Sequence, residues 1–457
     1  MKRPMSERLV IVGGDAAGMS AAAIARRRDP DLDVIAFERG PYTSYSACGI
    51  PYYVGALFDD SDRLISRSPE EFREAGIGVC TRTEVTNIDL DRSVVTVRDL
   101  DGGSDREEGF DQLVYAAGAQ AVAPPIPGAE MCDPVRTVDG GERFRTDVER
   151  HGGRHAVVIG ASYLGLEMAE ALVLRGLDVT LVERADQVMG TLDAGMAAHV
   201  QDAAEGVGIR VMLSTDVEEI RHSDGRPRSV RTSEGELPAD HVVLSTGVRP
   251  ATELAGSAGL ELGERGALSV DETQRCVGAD GVFAAGDCVE SWHRVLERPM
   301  NVQLGTHANK QGRIAGANAT GGDLRFPGVI GTAVSKICRY EVARTGVSER
   351  EARAAGIDVV TASVKDRTRA GYYPGAGPIW VKLVAEPGTG RLLGGQIVGV
   401  EGAAKRIDVL ATCVWTGIGV GELELLDLSY APPFSGVYDP LLVAARQTAK
   451  AVVEESR

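Results

Sequence analysis

Cys48 lies in the stretch SYSACGIPYY, ahead of a glycine, a proline and two tyrosines, with no second cysteine close by. Gly49, Ile50 and Pro51 read as a sharp turn into a helix, since proline is tolerated in a first helical turn. A thiol at a helix N-terminus with few competing anions is expected to ionise below the ordinary thiol value and to act as a nucleophile. The chain holds seven cysteines, at 48, 80, 132, 276, 288, 338 and 413, with no C-x-x-C pair. In a chain of this size that pattern reads as reduced thiols in the cytoplasm, not as a disulfide framework. A solitary reactive sulfur can be oxidised to a mixed disulfide with a small thiol, to a persulfide or to a sulfenic acid.

Two other segments carry the glycine spacing of dinucleotide binding. ERLVIVGGDAAGMSAAAIARRR reads as strand, glycine turn and small-residue helix, and DVIAFERG follows as a second strand. It offers Gly13, Gly18 and the acidic strand end Glu38, with Asp15 where a middle glycine would stand. HAVVIGASYLGLEMAEALVLRGLDVTLVERA repeats the pattern with Gly160, Gly165 and Glu183, and with Ser162 in the middle position. Glycines let the backbone approach a pyrophosphate, the helix N-terminus supplies positive potential, and the acidic residue accepts from ribose hydroxyls. A carboxylate at 183 repels a 2′-phosphate and favours NADH, although the neighbouring Arg184 leaves NADPH possible.

The elements that must hold these groups follow from the pattern along the chain. With 457 residues there is room for about three domains of ~150 residues. From about Arg325 the texture changes to strands such as PIWVKLVAE and LLGGQIVGV and a helix in AAKRIDVLATCVWTG, an α+β unit. A net charge of −17 argues against nucleic acid or an anionic membrane as partner. No run approaches the ~18 apolar residues of a membrane span, and the N-terminal stretch lacks a signal-peptide pattern.

With AAGDCV (Ala284–Val289) and the lone-cysteine segment added, nearly the whole chain resembles the flavin-dependent pyridine nucleotide–disulfide oxidoreductases. The similarity is strongest to their single-cysteine branch of coenzyme A-disulfide reductases, NADH oxidases and peroxidases, and persulfide or polysulfide reductases. GGDAAGMSAA, ACGIPYY, AAGA, STGVRP, ANKQGRIAG, GYYPGA, KRIDVL and YAPPFS carry the resemblance together. It implies an α/β protein of two Rossmann-like domains and a C-terminal α+β dimerisation domain. FAD would occupy 1–120 with 249–324, NAD(P)H would occupy 121–248, and 325–457 would form a homodimer. FAD would be held by Gly13, Gly18, Glu38, Arg39, Ala117, Gly118 and Asp287, with the helix opening at Leu304–Thr306 beside the flavin. The nicotinamide nucleotide would be held by Gly160, Gly165, Glu183 and Gly247. Tyr163 would cover the flavin until nicotinamide arrives, and Glu167 would stand near the nicotinamide amide.

On the same resemblance Cys48 is the redox-active residue, and Tyr372, Tyr373 and Tyr430 reach from the dimer domain toward a partner's thiol. Ser20, Arg27 and Ser44 match contacts to coenzyme A. Other such contacts are lost: Ile24, Ala47, Gly76 and Tyr438 stand where the disulfide reductases place a glutamine, an asparagine and two lysines. Ala16 replaces the histidine of the peroxidases. The expectation is an NADH-dependent reductase of a small disulfide, coenzyme A-disulfide-like, persulfide or polysulfide. The alternatives are an NADH oxidase and, less favoured, a redox sensor with little turnover.

Overall fold

The computed structural model describes residues 7–132, 134–263 and 265–455. The basic opening stretch up to residue 6 lies outside them. RLVIV forms β1 (Arg8–Val12), buried over its last four residues. An unbroken apolar strand of this kind suits a sheet covered on both faces. The chain turns through Gly13 into α1 (Ala16–Arg28), whose buried side is almost all alanine and glycine, and returns as β2 (Asp33–Phe37), parallel to β1. A 3₁₀ turn at Ala47–Gly49 leads into the short α2 (Ile50–Val54), with Pro51 in its first turn. Strands β3 (Gly78–Cys80) and β4 (Gln112–Tyr115) extend the sheet on either side.

The second unit repeats the scheme. β5 (His155–Ile159), α3 (Tyr163–Leu174), β6 (Asp178–Val182), β7 (Arg210–Met212) and β8 (His241–Leu244) build a parallel sheet in the order β7-β6-β5-β8. The chain then goes back to the first sheet, where β9 (Val282–Ala284) pairs with β4 to give β9-β4-β1-β2-β3. Helix α4 (Gly305–Asn318) follows and lies along α1. A Cβ at Gly312 would stand 2.1 Å from the Ala17 carbonyl oxygen, so the two helices touch backbone to backbone.

The C-terminal unit is a five-stranded antiparallel sheet of β10 (Ala333–Ile337), β11 (Tyr340–Gly346), β12 (Val360–Arg367), β13 (Pro378–Ala385) and β14 (Leu392–Gly399). Its order is β10-β11-β14-β13-β12. Helix α5 (Ala403–Thr416) packs on β14 and β11, and α6 (Pro440–Glu455) packs on β12 and β13. All eight residues of β14 are buried, and seven of them are apolar or glycine; the exception, Gln396, donates to Asp193. The architecture is the expected one: two doubly wound parallel units and an α+β domain. Among the described residues no helix is long and apolar enough to cross a membrane.

Candidate functional site

The two glycine turns have one geometry. Gly13 has φ +103° and Gly160 φ +100°, and a Cβ at either would fall 2.3 or 2.2 Å from a carbonyl oxygen of the neighbouring strand end. A Cβ at Gly18 or Gly165 would fall 1.9 Å from the carbonyl oxygen of that first glycine, so each helix packs tightly on its turn. The acidic strand ends are fastened alike. Glu38 accepts from the amides of Gly14 (2.6 Å) and Gly40 (2.7 Å). Glu183 accepts from those of Ala161 (2.7 Å) and Ala185 (2.8 Å). Neither α1 nor α3 has an acidic residue in its first turn or a side-chain cap, so the first amides of each helix are left for an anion. These donors and acidic ends fit a dinucleotide in both turns.

Asp15 stands at the head of α1 without capping it, and its Oδ1 accepts from the Tyr45 amide at 3.0 Å. Burial pushes its carboxyl up to about 6; the Tyr45 amide opposes the shift and the charges of Glu38 and Asp287 add to it. Asp287, after β9, is also raised by burial, against the pull of Arg136, whose guanidinium lies 3.5 Å away.

Cys48 sits on the 3₁₀ turn before α2 and is exposed, the only one of the seven cysteines that is; none of the seven is joined in a disulfide. Its environment differs from the expectation. Desolvation by the surrounding walls raises the thiol, the charges of Glu167 and Asp287 add to the rise, and Arg136 is a weaker opposing influence. The local helix start is outweighed by desolvation first, and then by two carboxylates brought in from elsewhere in the chain. Tyr52, one helical turn past Cys48, is raised by burial and by Glu167, Glu170 and Cys48 in turn. It shares a face with the thiol, as residues four apart do.

Glu167 is held from the C-terminal domain, where the Ser335 hydroxyl of β10 donates to it. Burial raises its carboxyl. Tyr163 begins α3, and its hydroxyl accepts from Thr191 Oγ1 at 3.5 Å. Thr191 is in turn clamped by Arg344 of β11, which donates to its carbonyl at 2.7 Å, to the Gly346 carbonyl at 2.9 Å and to both oxygens of Glu351. Asp193, two residues on, is buried between Lys382 (3.0 Å) and Gln396 (2.7 Å). The segment between Glu183 and the helix Ala194–Glu205 is thus pinned to the C-terminal sheet.

The remaining residues fall into three places. Ala117 and Gly118 follow β4, where Gly118 (φ +68°) accepts from the Ala251 amide at 3.0 Å. Leu304 caps α4, Thr306 is exposed on its first turn, and the Gly247 carbonyl accepts from the Val122 amide at 3.0 Å. Arg39 is exposed, 3.8 Å from Glu84. Ser20 donates to Asn309 of α4 at 2.8 Å, Ser44 donates its amide to the Gly14 carbonyl at 3.1 Å, and Arg27 is exposed with its Nε on the Ala23 carbonyl. Tyr372 and Tyr430 come together, the Tyr372 hydroxyl being raised by desolvation and then by its hydrogen bond to Tyr430. Tyr373 lies under Arg369 at 6.0 Å. Among the described residues no hydrogen bond joins these tyrosines to Cys48 of the same chain, and Tyr372, Phe434 and Tyr438 are exposed.

Arg136 and Tyr52 were not singled out from the sequence. Arg136 is one arginine in an unpatterned loop, with no signal to find it. Tyr52 was visible only as part of the PYY that follows the cysteine.

The pyridine nucleotide-disulphide oxidoreductase family matches residues 7–312, and its dimerisation domain matches residues 332–440. The chain is 38% identical over 459 residues to an NAD(P)H coenzyme A polysulfide/persulfide reductase of Pyrococcus horikoshii, covering 98% of this chain and 99% of that protein. An NADH oxidase of Methanocaldococcus jannaschii is 36% identical over 447 residues, covering 97% and 99%. Among solved structures, an NAD-dependent persulfide reductase from A. fulgidus superposes with a TM-score of 0.93 at 40% identity, over 97% of this chain and 83% of that one. On the strength of the two glycine turns, the lone exposed thiol and these matches, the chain belongs to the pyridine nucleotide-disulphide oxidoreductase family.

Proposed function

We propose that the protein is an NADH-dependent FAD flavoprotein that reduces a small disulfide, persulfide or polysulfide through Cys48. The observation that carries this is the thiol itself: exposed, unpaired, and faced by Glu167 and Asp287 from the two nucleotide-binding units. FAD and a nicotinamide nucleotide are the cofactors of this family. We assign FAD to residues 1–120 and 249–324, because β9 rejoins the first sheet. NAD(P)H goes to 121–248 and the dimer interface to 325–457.

When bound, FAD supplies a two-electron relay between nicotinamide and sulfur. The residues of the chain do the rest. Cys48 as thiolate attacks one sulfur of the acceptor, forming a mixed disulfide and expelling a thiolate or hydrosulfide. Two electrons from NADH then release the second thiol and restore Cys48. Tyr372 and Tyr430 of a partner subunit, and Tyr373 beside them, supply a hydroxyl proton to the leaving sulfur. Ser20, Arg27 and Ser44 are the contacts for a coenzyme A moiety. Glu183 receives the ribose hydroxyls and selects NADH, and the exposed tyrosines favour a homodimer. Seven cysteines without a disulfide suit a reducing, cytoplasmic setting.

An NADH oxidase is the second reading, carried by the Methanocaldococcus relative. Steady-state NADH consumption, with and without oxygen, across coenzyme A disulfide, coenzyme A persulfide and polysulfide separates the two. Anaerobic turnover with a sulfur acceptor, lost in Cys48→Ser while NADH still bleaches the flavin, is expected. A rate that vanishes without oxygen whatever acceptor is present selects the oxidase.

A further inference from the structure

The glycine turn of the first unit differs from that of the second in one chemical respect. Where the second has Ser162, whose hydroxyl is 2.7 Å from that of Ser245, the first has Asp15, a carboxyl at the head of α1. We propose that Asp15 is an FAD-binding residue that meets the cofactor pyrophosphate in its neutral, proton-donating form, so that flavin capture takes up a proton. This rests on the assignment of the first glycine turn to FAD.

The charges around the turn require such an arrangement. Glu38 faces Asp15 from the end of β2 and Asp287 faces it from the loop after β9. Tyr45 faces it from the loop before α2, giving its amide to Oδ1. Arg136, from the loop before the helix Val138–His151, is the cation set against Asp287. On α1 itself the first turn carries no acid, and its Ala16 amide, like that of Tyr45, favours the ionised carboxyl against the effect of burial. From α4, packed along α1, the ionisable groups of the first two turns are His307 and Lys310, neither of which is among the main influences on Asp15.

Three carboxyls therefore converge against one guanidinium before a ligand with two negative charges arrives. An ionised Asp15 would repel that ligand in a site that screens charge poorly. The protonated acid has the opposite effect. One oxygen stays on the Tyr45 amide, and the other carries a proton that it can donate to a phosphate oxygen. Burial already holds Asp15 protonated up to about 6 in the free chain, and an adjoining diphosphate raises that value further. The sign follows: affinity for FAD is full below about pH 6 and falls by about tenfold per pH unit above it, until the value of the loaded form is passed.

The test dilutes holoenzyme into buffers from pH 5 to pH 8.5 and reads FAD dissociation constants from recovered flavin fluorescence. Wild type is expected to weaken by at least about tenfold across that range. Asp15→Asn, neutral at every pH and still a donor, is expected to lose the slope and keep the affinity that wild type shows in acid. Asp15→Gly, restoring the usual glycine, serves as a second variant whose folding does not depend on the amide. A flat wild-type profile, or a slope that persists in both variants, overturns the proposal. A chain that binds no FAD at any pH overturns the assignment of the turn instead.

Discussion

Replacing Arg344 tests whether the C-terminal domain holds the nicotinamide side of the site in place. The side chain is 10% exposed and spends its donors on Thr191, Gly346 and Glu351. In Arg344→Met the Glu351 carboxylate loses its cation, and two carbonyls lose their donors. Breaking a buried ion pair from one side costs about 3–5 kcal/mol. Glu351 is 36% exposed and keeps the Ser348 amide at 2.8 Å, so the lower end, about 3 kcal/mol, applies. Arg344→Met with Glu351→Leu removes the stranded charge and should cost less than the single change.

Denaturant unfolding can be followed by tryptophan emission, because Trp380 of β13 stacks at 4.0 Å on His199 of the nucleotide-binding unit and reports on this junction. The same variant should raise KM for NADH more than it lowers kcat, since Thr191 is the hydroxyl that touches Tyr163. Unfolding within about 1 kcal/mol of wild type together with an unchanged KM would refute the reasoning.

Three further expectations follow from the site. Cys48 should be alkylated slowly by iodoacetamide at pH 7 and faster as pH rises past the ordinary thiol value of about 8.5, because desolvation by its walls, Glu167 and Asp287 hold the thiol up. Glu167→Gln should move that profile toward lower pH, and a wild-type midpoint below that of free cysteine contradicts the electrostatics. Gly312→Ala would force α4 from α1, its methyl 2.1 Å from the Ala17 oxygen, and should show as a low flavin-to-protein ratio after purification. Glu183→Ser should shift the kcat/KM preference from NADH toward NADPH, and an unchanged ratio removes Glu183 from cofactor choice.

The parts of the molecule legible in the sequence were those fixed by neighbours along the chain. Gly13, Gly18 and Glu38 must close one turn between one strand and one helix, and their spacing says so; Gly160, Gly165 and Glu183 repeat the lesson. The charge state of Cys48 was not legible in this way. A local reading saw a helix start and expected an acidic thiol. The walls that desolvate the sulfur come from tertiary packing, and the carboxylates that add to the rise, Glu167 and Asp287, lie 119 and 239 positions downstream, where the fold alone brings them to it. Arg136 was hidden for the same reason. The pinning of Thr191 and Asp193 by Arg344, Lys382 and Gln396 is also a product of domain packing, and no spacing within either segment announces it.

The grip of Glu38 and Glu183 on the amides of their own turns bears on attempts to re-engineer this protein. Each carboxylate braces its own loop, a task separate from the sugar recognition proposed for it. Exchanging Glu183 for a small or basic residue to admit a phosphorylated ribose withdraws a two-point brace from the Ala161 and Ala185 amides. Exchanging coenzyme preference without loosening the loop therefore needs a companion change that gives those amides a new acceptor.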